Sequence, residues 1–280
     1  MSGTMTTQDP TTTAPAARGD RGRKPFWQVV AMLKMESLAL RRNWTSTVMS
    51  VVTPLLIALL LVSEHAGQTV PGVRRVASVT TLIMVFLVHH HLTTVYAARR
   101  QELVLKRLRA GLPSDRTILI GTATSTVVIF LVQFVLLALY ALLVLDLPLP
   151  RNPLVMALAL LFGSAIMAAF SAALSAITRT SEAAMLTTMP TVVIFLATPG
   201  ALLPLDVLPE SLERALWFLP NGPFTEVMRV GWLGRTDEGQ TLGFAGTIVE
   251  TLPSFGVLLV WLVVSVFLAG RYFRWEPRHG

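Results

Sequence analysis

The chain has 280 residues, 53% hydrophobic and only 14% charged, with a formal net charge of +7 and no cysteine. The charged share is roughly half that of an ordinary soluble domain. The apolar residues come in long blocks without a polar face, which excludes a soluble core built from amphipathic helices. Disulfides and thiolate metal sites are excluded outright. The basic residues flank the apolar blocks, as membrane orientation requires, and this sets nucleic acid aside as a partner.

Residues 1–24 are rich in Thr, Ala, Pro and Gly and end in the basic run Arg18, Arg21, Arg23 and Lys24. Such a composition cannot build a core, so the segment is predicted to be a disordered cytosolic tail. It is not a secretory signal, because no apolar region follows directly on a short basic one. From Pro25 to Asn43 the pattern predicts a helix with Pro25 in its first position. Phe26, Val29, Val30, Leu33 and Leu40 share a face that Ser37 and Arg41 interrupt, and Lys34, Arg41, Arg42 and Trp44 suit a headgroup boundary. The segment reads as an interfacial helix on the cytosolic surface, or else as the cytosolic start of the first span.

Residues 25–280 then form one all-α integral membrane domain with six transmembrane helices, since a bilayer core about 30 Å thick takes about 20 apolar residues per helix. The first span is Thr45–Val62, with Pro54 inside it. The second runs from Val76 to about Ala97, and the third from Thr117 to Leu145. After a tight loop through Asp146, Pro148, Pro150 and Pro153 comes the fourth, Leu154–Thr178. Ala165, Ala169, Ala172 and Ala176 give it a small-residue stripe, the pattern for close helix approach in lipid. The fifth, Ala183–Leu203, is interrupted by Pro190 and Pro199-Gly200. The sixth is Leu252–Gly270. Placing both ends in the cytosol puts seventeen of the Lys and Arg residues inside and six outside, Arg74 and Arg75 being the exceptions that abut a span. The asymmetry favours an inner-membrane protein with both termini cytosolic.

Between the second and third spans, Ala98 to Pro113 reads as a short cytosolic helix stopped by Gly111 and Pro113. Leu105, Leu108 and Leu112 form one apolar ridge, beside Val104, within a charged surround. Such a ridge suits the groove of a partner protein, or the segment is a solvated loop helix that orients the chain by its charge.

These residues also resemble a known family. Glu102-Leu103-x-Leu105-Lys106-Arg107-Leu108-Arg109 followed by Pro113 is similar to the signature of type-2 ABC transporter permease proteins, the drug and polysaccharide exporters. Pro199-Gly200, Pro204-Leu205-x-x-Leu208-Pro209-Glu210-x-Leu212, Leu219-Pro220-x-x-Pro223 and Glu226-x-x-Arg229 follow the family's pattern after the fifth span. The resemblance implies that Glu102, Leu105, Lys106, Arg107, Leu108 and Arg109 couple to a separate ABC ATPase subunit. It also implies short extracellular re-entrant helices after the fifth span, and a second permease copy, identical or not, forming a dimer around a substrate path. From Pro209 to Gly234 the proline and glycine punctuation predicts two short helices, in which Glu226 and Arg229 can pair at i, i+3.

No phosphate-binding loop surrounds Lys24, Lys34 or Lys106, no histidine is followed by Glu, and no G-x-S-x-G occurs. No cofactor is therefore expected, and ATP hydrolysis belongs to another chain. His89, His90 and His91 lie inside the second span, where polar side chains point to function. Consecutive helix residues point about 100° apart and cannot converge on one metal. His89 and His90, with Thr93, are the candidates to face a substrate path; the alternative is interhelical hydrogen bonding, as for Gln133. The expected activity is export of hydrophobic, drug-like compounds. The competing readings are polysaccharide export and a non-transporting assembly or sensing role.

Overall fold

The computed structural model describes residues 53–101, 115–178, 180–198 and 209–273. The N-terminal tail, the interfacial helix, the coupling segment Glu102–Arg109 and the Pro199–Leu208 motif lie outside these residues. Among the described residues the fold is all-helical, with no strand beyond one isolated bridge between Arg235 and Thr241.

The helices run in the order α1 (Thr53–Ser63), α2 (Thr69–Ile83), a π-helical segment Met84–His91, α3 (Leu92–Gln101), α4 (Asp115–Leu143), α5 (Pro153–Ser175), α6 (Ala183–Leu196), α7 (Glu210–Trp217), α8 (Asn221–Leu233) and α9 (Phe244–Tyr272). Four continuous helices are long and apolar enough to cross a membrane: Thr69–Arg99, Leu119–Leu143, Pro153–Ser175 and Phe244–Tyr272. Two further apolar helices, α1 and α6, are shorter within the described residues. Three boundaries differ from the sequence expectation, and the helix of the fifth span runs through Pro190 and ends at Leu196 rather than Leu203. The second span's helix begins at Thr69 rather than Val76, so Arg74 and Arg75 lie in its early turns; the last begins at Phe244 rather than Leu252. Both early turns carry polar residues that extend the helix without extending its apolar stretch.

The bundle is organised around α5, which packs on α9, α8, the π segment and α3. Its contact face differs from the alanine stripe. Ala165 is exposed, while Val155, Met156, Ala159, Gly163, Met167 and Ser171 are buried. Of the stripe, Ala172 is buried and Ala169 and Ala176 are half-buried, so the close contacts only partly coincide with it. The centre is α8, where every residue except Glu226 is buried. Phe224, Val227, Met228 and Trp232 fill the space against α2, α5 and α9. This helix is too mixed in composition to read as a span, and it is buried only because neighbours accept its polar groups. Thr81 and Thr225 hydroxyls meet at 3.1 Å, and Asn221 Nδ2 donates to the Phe195 carbonyl at 2.9 Å. Phe195 stands four residues before Pro199, which has no N–H to offer it. The Glu226–Arg229 pair expected at i, i+3 forms, with two contacts of 2.6 and 2.9 Å.

The turns sort to two ends. One, the hairpin end, carries the Glu64–Gln68 turn, the loop 144–152 and the turn 234–243. α4 closes there with Asp146 in the left-handed region and Leu147 N–H returning to the Ala141 carbonyl at 3.0 Å. Leu147 is buried against Gly72 of α2. Asn152 caps α5 through Val155 N–H and ties in the start of α9, donating to the Phe244 carbonyl and to Thr247.

The reversal from α7 to α8 depends on Gly222, where a Cβ would stand 2.5 Å from the Trp217 carbonyl oxygen. Gly222→Ala should therefore push α7 off α8 and cost about 1–3 kcal/mol, measured as a lower unfolding midpoint in detergent. Gly256→Ala, with open space around its Cβ, should leave the midpoint unchanged.

Candidate functional site

The second span changes its hydrogen-bond register at Met84 and resumes α-helix at Leu92. A π-helical stretch is rare, and its i→i+5 bonds displace carbonyls from their usual partners. Side-chain hydroxyls crowd these carbonyls, with Ser171 closest to the Met167 carbonyl of its own helix at 2.6 Å. Ser171 Oγ of α5 lies 3.2 Å from the Val88 carbonyl and 3.0 Å from that of His89. Thr93 and Thr94 donate to the carbonyls of His89 and His90 at 2.8 and 3.1 Å.

The same stretch presents two histidines to α6. His89 Nε2 lies 2.8 Å from Thr191 Oγ1, and His90 Nδ1 lies 2.6 Å from Thr188 Oγ1. Both threonines already donate to backbone, Thr191 to Thr188 and Thr188 to Ala184, so the network assigns the donor role to the histidine nitrogens. His89 Nδ1 then faces Ser171 Oγ at 3.3 Å. Phe170 and Phe195 enclose the His89 ring, each with its ring centroid at 5.5 Å. A regular helix would aim neighbouring histidines about 100° apart, and the altered register lets both reach one partner helix.

Of the sequence-predicted path residues, His89 and Thr93 are fully buried, and His90 is partly exposed beside Phe86. The structure brings these three together with Ser171, Thr188 and Thr191, which sequence reasoning missed. Thr188 and Thr191 carried a readable signal, hydroxyls at i, i+3 that with Thr187 are the only hydroxyl groups in a largely apolar helix. The π-helical register carried none. Among the described residues no cluster of His, Asp or Glu could hold a metal ion.

The predicted coupling residues Glu102, Leu105, Lys106, Arg107, Leu108 and Arg109 lie outside the described residues, but the helices flanking them are well fixed. α3 ends at Gln101 and α4 begins at Asp115. Arg99 Nη1 donates to Thr122 Oγ1 at 2.6 Å, and Tyr96 Oη donates to the Leu119 carbonyl at 3.1 Å. Tyr96 also stacks edge-on with Phe273 at the end of α9, ring centroids 6.2 Å apart. The segment 102–114 thus joins two helices clamped side by side, one of which continues directly into the histidine stretch.

A double-mutant cycle of His89→Ala and Thr191→Val should give a coupling of about 0.6 kcal/mol and not above about 1.7, read from reversible unfolding in mixed detergent. Zero coupling would mean that the histidine is held by packing alone.

A family model for the ABC-2 type transporter matches residues 28–233, most of the chain. No curated protein matches it significantly. The matched region takes in the histidine stretch, the clamped helices around 102–114 and the buried helix α8 with its Glu226–Arg229 pair. On that match and this all-helical, apolar architecture, the chain is an integral membrane protein belonging to the ABC-2 type transporter family, the membrane component of an ABC transporter.

Proposed function

We propose that the chain is the permease of an ATP-driven exporter of hydrophobic, drug-like compounds, working as a dimer with a separate ATPase subunit. The observation that supports this reading lies in the helices on either side of segment 102–114, α3 and α4. The segment links two helices fixed to each other by Arg99–Thr122 and Tyr96–Leu119, so a displacement of the segment moves both together. The charged, Leu-ridged sequence Glu102–Arg109 suits a cleft on a partner, with the ridge supplying contact area and the charges supplying register and on-rate. α3 transmits that displacement to His89 and His90 through one continuous helix.

On this reading six helices span the inner membrane, both termini are cytosolic and the hairpin end faces outward. α7 and α8 are then the re-entrant pair. A substrate path past His89, His90 and Thr93 requires the π segment to part from α6, since His89 and Thr93 are fully enclosed in the described bundle. The few interhelical bonds there, His89–Thr191 and His90–Thr188, are the ones that such a motion breaks.

Leu108→Ala combined with Arg107→Glu should leave membrane insertion intact, reduce co-purification of the ATPase and abolish ATP-dependent efflux. Leu-to-Ala truncation of a buried contact costs about 2–5 kcal/mol. A double variant that still binds the ATPase and transports at the parent rate would reduce the segment to an orienting loop.

For topology, a cysteine replacing Glu213 in this cysteine-free chain should react with an impermeant thiol reagent on intact cells. Reaction only after the inner face is opened would invert the assignment.

A further inference from the structure

At the hairpin end, the turn 234–243 and the loop 148–151 enclose a cavity of about 420 Å³ that Thr69 of α2 also lines. Arg151 and Arg235 both line it, and no carboxylate does. Among the described residues neither guanidinium has a hydrogen bond or ion pair. Three carboxylates of α8 and the turn after it, Glu226, Asp237 and Glu238, are paired with other residues. Glu226 is held by Arg229, and Asp237 lies 3.1 Å from Arg229 and 3.5 Å from Arg74. Glu238 accepts from Gln240 at 3.3 Å.

The backbone beneath both arginines is fixed. Arg151 N–H donates to the Trp232 carbonyl at 3.1 Å, and Asn152 N–H to that of Gly231 at 2.8 Å. Gly234 adopts the left-handed conformation, φ 61°, and the Arg151 side chain lies across it so closely that a Cβ there would stand 2.7 Å from Arg151 Cγ. Arg235 pairs with Thr241 in an antiparallel bridge, and Leu242 N–H donates to the Gly234 carbonyl at 2.7 Å. The Trp232 indole N–H holds the opposite wall through the Pro148 carbonyl at 2.8 Å. Two uncommitted guanidiniums thus stand on a rigid frame around one cavity, while their neighbours have carboxylate partners.

We propose that this cavity binds the phosphate of an anionic phospholipid headgroup. Guanidinium is the side chain best matched to phosphate, offering paired donors in a planar fork. Basic side chains at a membrane surface attract anionic headgroups. Leu149, 76% exposed on the cavity's rim, gives the lipid's apolar portion a surface to rest on, which a free phosphate would not use. The choice of the outer leaflet rests on the outward placement of the hairpin end proposed above.

The test uses the full chain, purified in detergent and delipidated. Phosphatidylglycerol, phosphatidylcholine and inorganic phosphate are added separately, and bound species are counted by native mass spectrometry. The parent chain should retain phosphatidylglycerol in preference to phosphatidylcholine. The variant carrying Arg151→Gln and Arg235→Gln should lose that preference while keeping its unfolding midpoint, since neither side chain holds the fold together. Equal retention by parent and variant overturns the site. Binding of inorganic phosphate without any preference for the anionic lipid overturns the lipid assignment. Thr241→Cys, on the cavity wall, should react with an impermeant thiol reagent on intact cells. Reaction only from the cytosolic side overturns the leaflet and the outward placement, and leaves the binding result to stand on its own.

Discussion

A bilayer core offers no hydrogen-bond partner to a peptide group, so a departure from regular α-helix inside this bundle persists only where side chains, neighbouring helices or a shifted backbone register satisfy the groups it frees. The histidine stretch of the second span is such a departure. There Ser171 of α5, bonded to the Met167 carbonyl at 2.6 Å, also lies within 3.2 Å of the Val88 and His89 carbonyls, while Thr93 and Thr94 donate to the carbonyls of His89 and His90. Asn221 performs the same repair at the end of α6, taking the Phe195 carbonyl that Pro199 cannot bond. Asn152 caps the start of α5 through the Val155 N–H and ties it to the start of α9 at the Phe244 carbonyl. Each repair also joins two elements, so the polar groups that make irregular backbone tolerable are the ones that set which helices touch.

This economy bears on transport. A bundle held only by apolar packing in lipid has little reason to adopt two discrete arrangements, because lipid tails are as apolar as its side chains. Directional bonds such as His89–Thr191 and His90–Thr188 define one arrangement and can be exchanged for another. They lie on the helix that continues, through α3, to the Arg99 and Tyr96 clamps beside segment 102–114. The hairpin end is built differently. There the backbone is locked by Asp146, Gly234 and the Arg235–Thr241 bridge, and Arg229 sits between Glu226 and Asp237. The locked end thus lies away from the end where the partner contact is proposed.

The long apolar blocks, the proline-rich loop after the third span and the two short helices after Pro209 were all legible in the chain. Each depends on properties of neighbouring residues alone: length against bilayer thickness, missing amides, local turn chemistry. The Glu226–Arg229 pair was legible for the same reason, since i, i+3 spacing places both side chains on one helix face wherever that helix sits. The alanine stripe was legible only in part, since Ala172 is buried but Ala165 is exposed and Gly163 makes the closest approach. Small residues permit approach, and only the neighbours decide where it happens.

By itself, the sequence determined that the chain is an all-helical membrane protein with its main breaks at proline and glycine, because hydrophobic length and backbone chemistry are local quantities. Only the tertiary structure decided that Asn221–Leu233, a segment with Asn, Thr, Glu and Arg among its residues, lies buried at the centre. Only the fold, likewise, turned His89 and His90 toward the same helix through a register change that no residue pattern announces. Both outcomes rest on hydrogen-bond partners supplied by segments about 25 to 100 residues away in the chain, such as the Phe195 carbonyl for Asn221 and Thr191 for His89. Burial of a polar group is favourable only when such a partner is in place, and that partner exists only after the helices have packed.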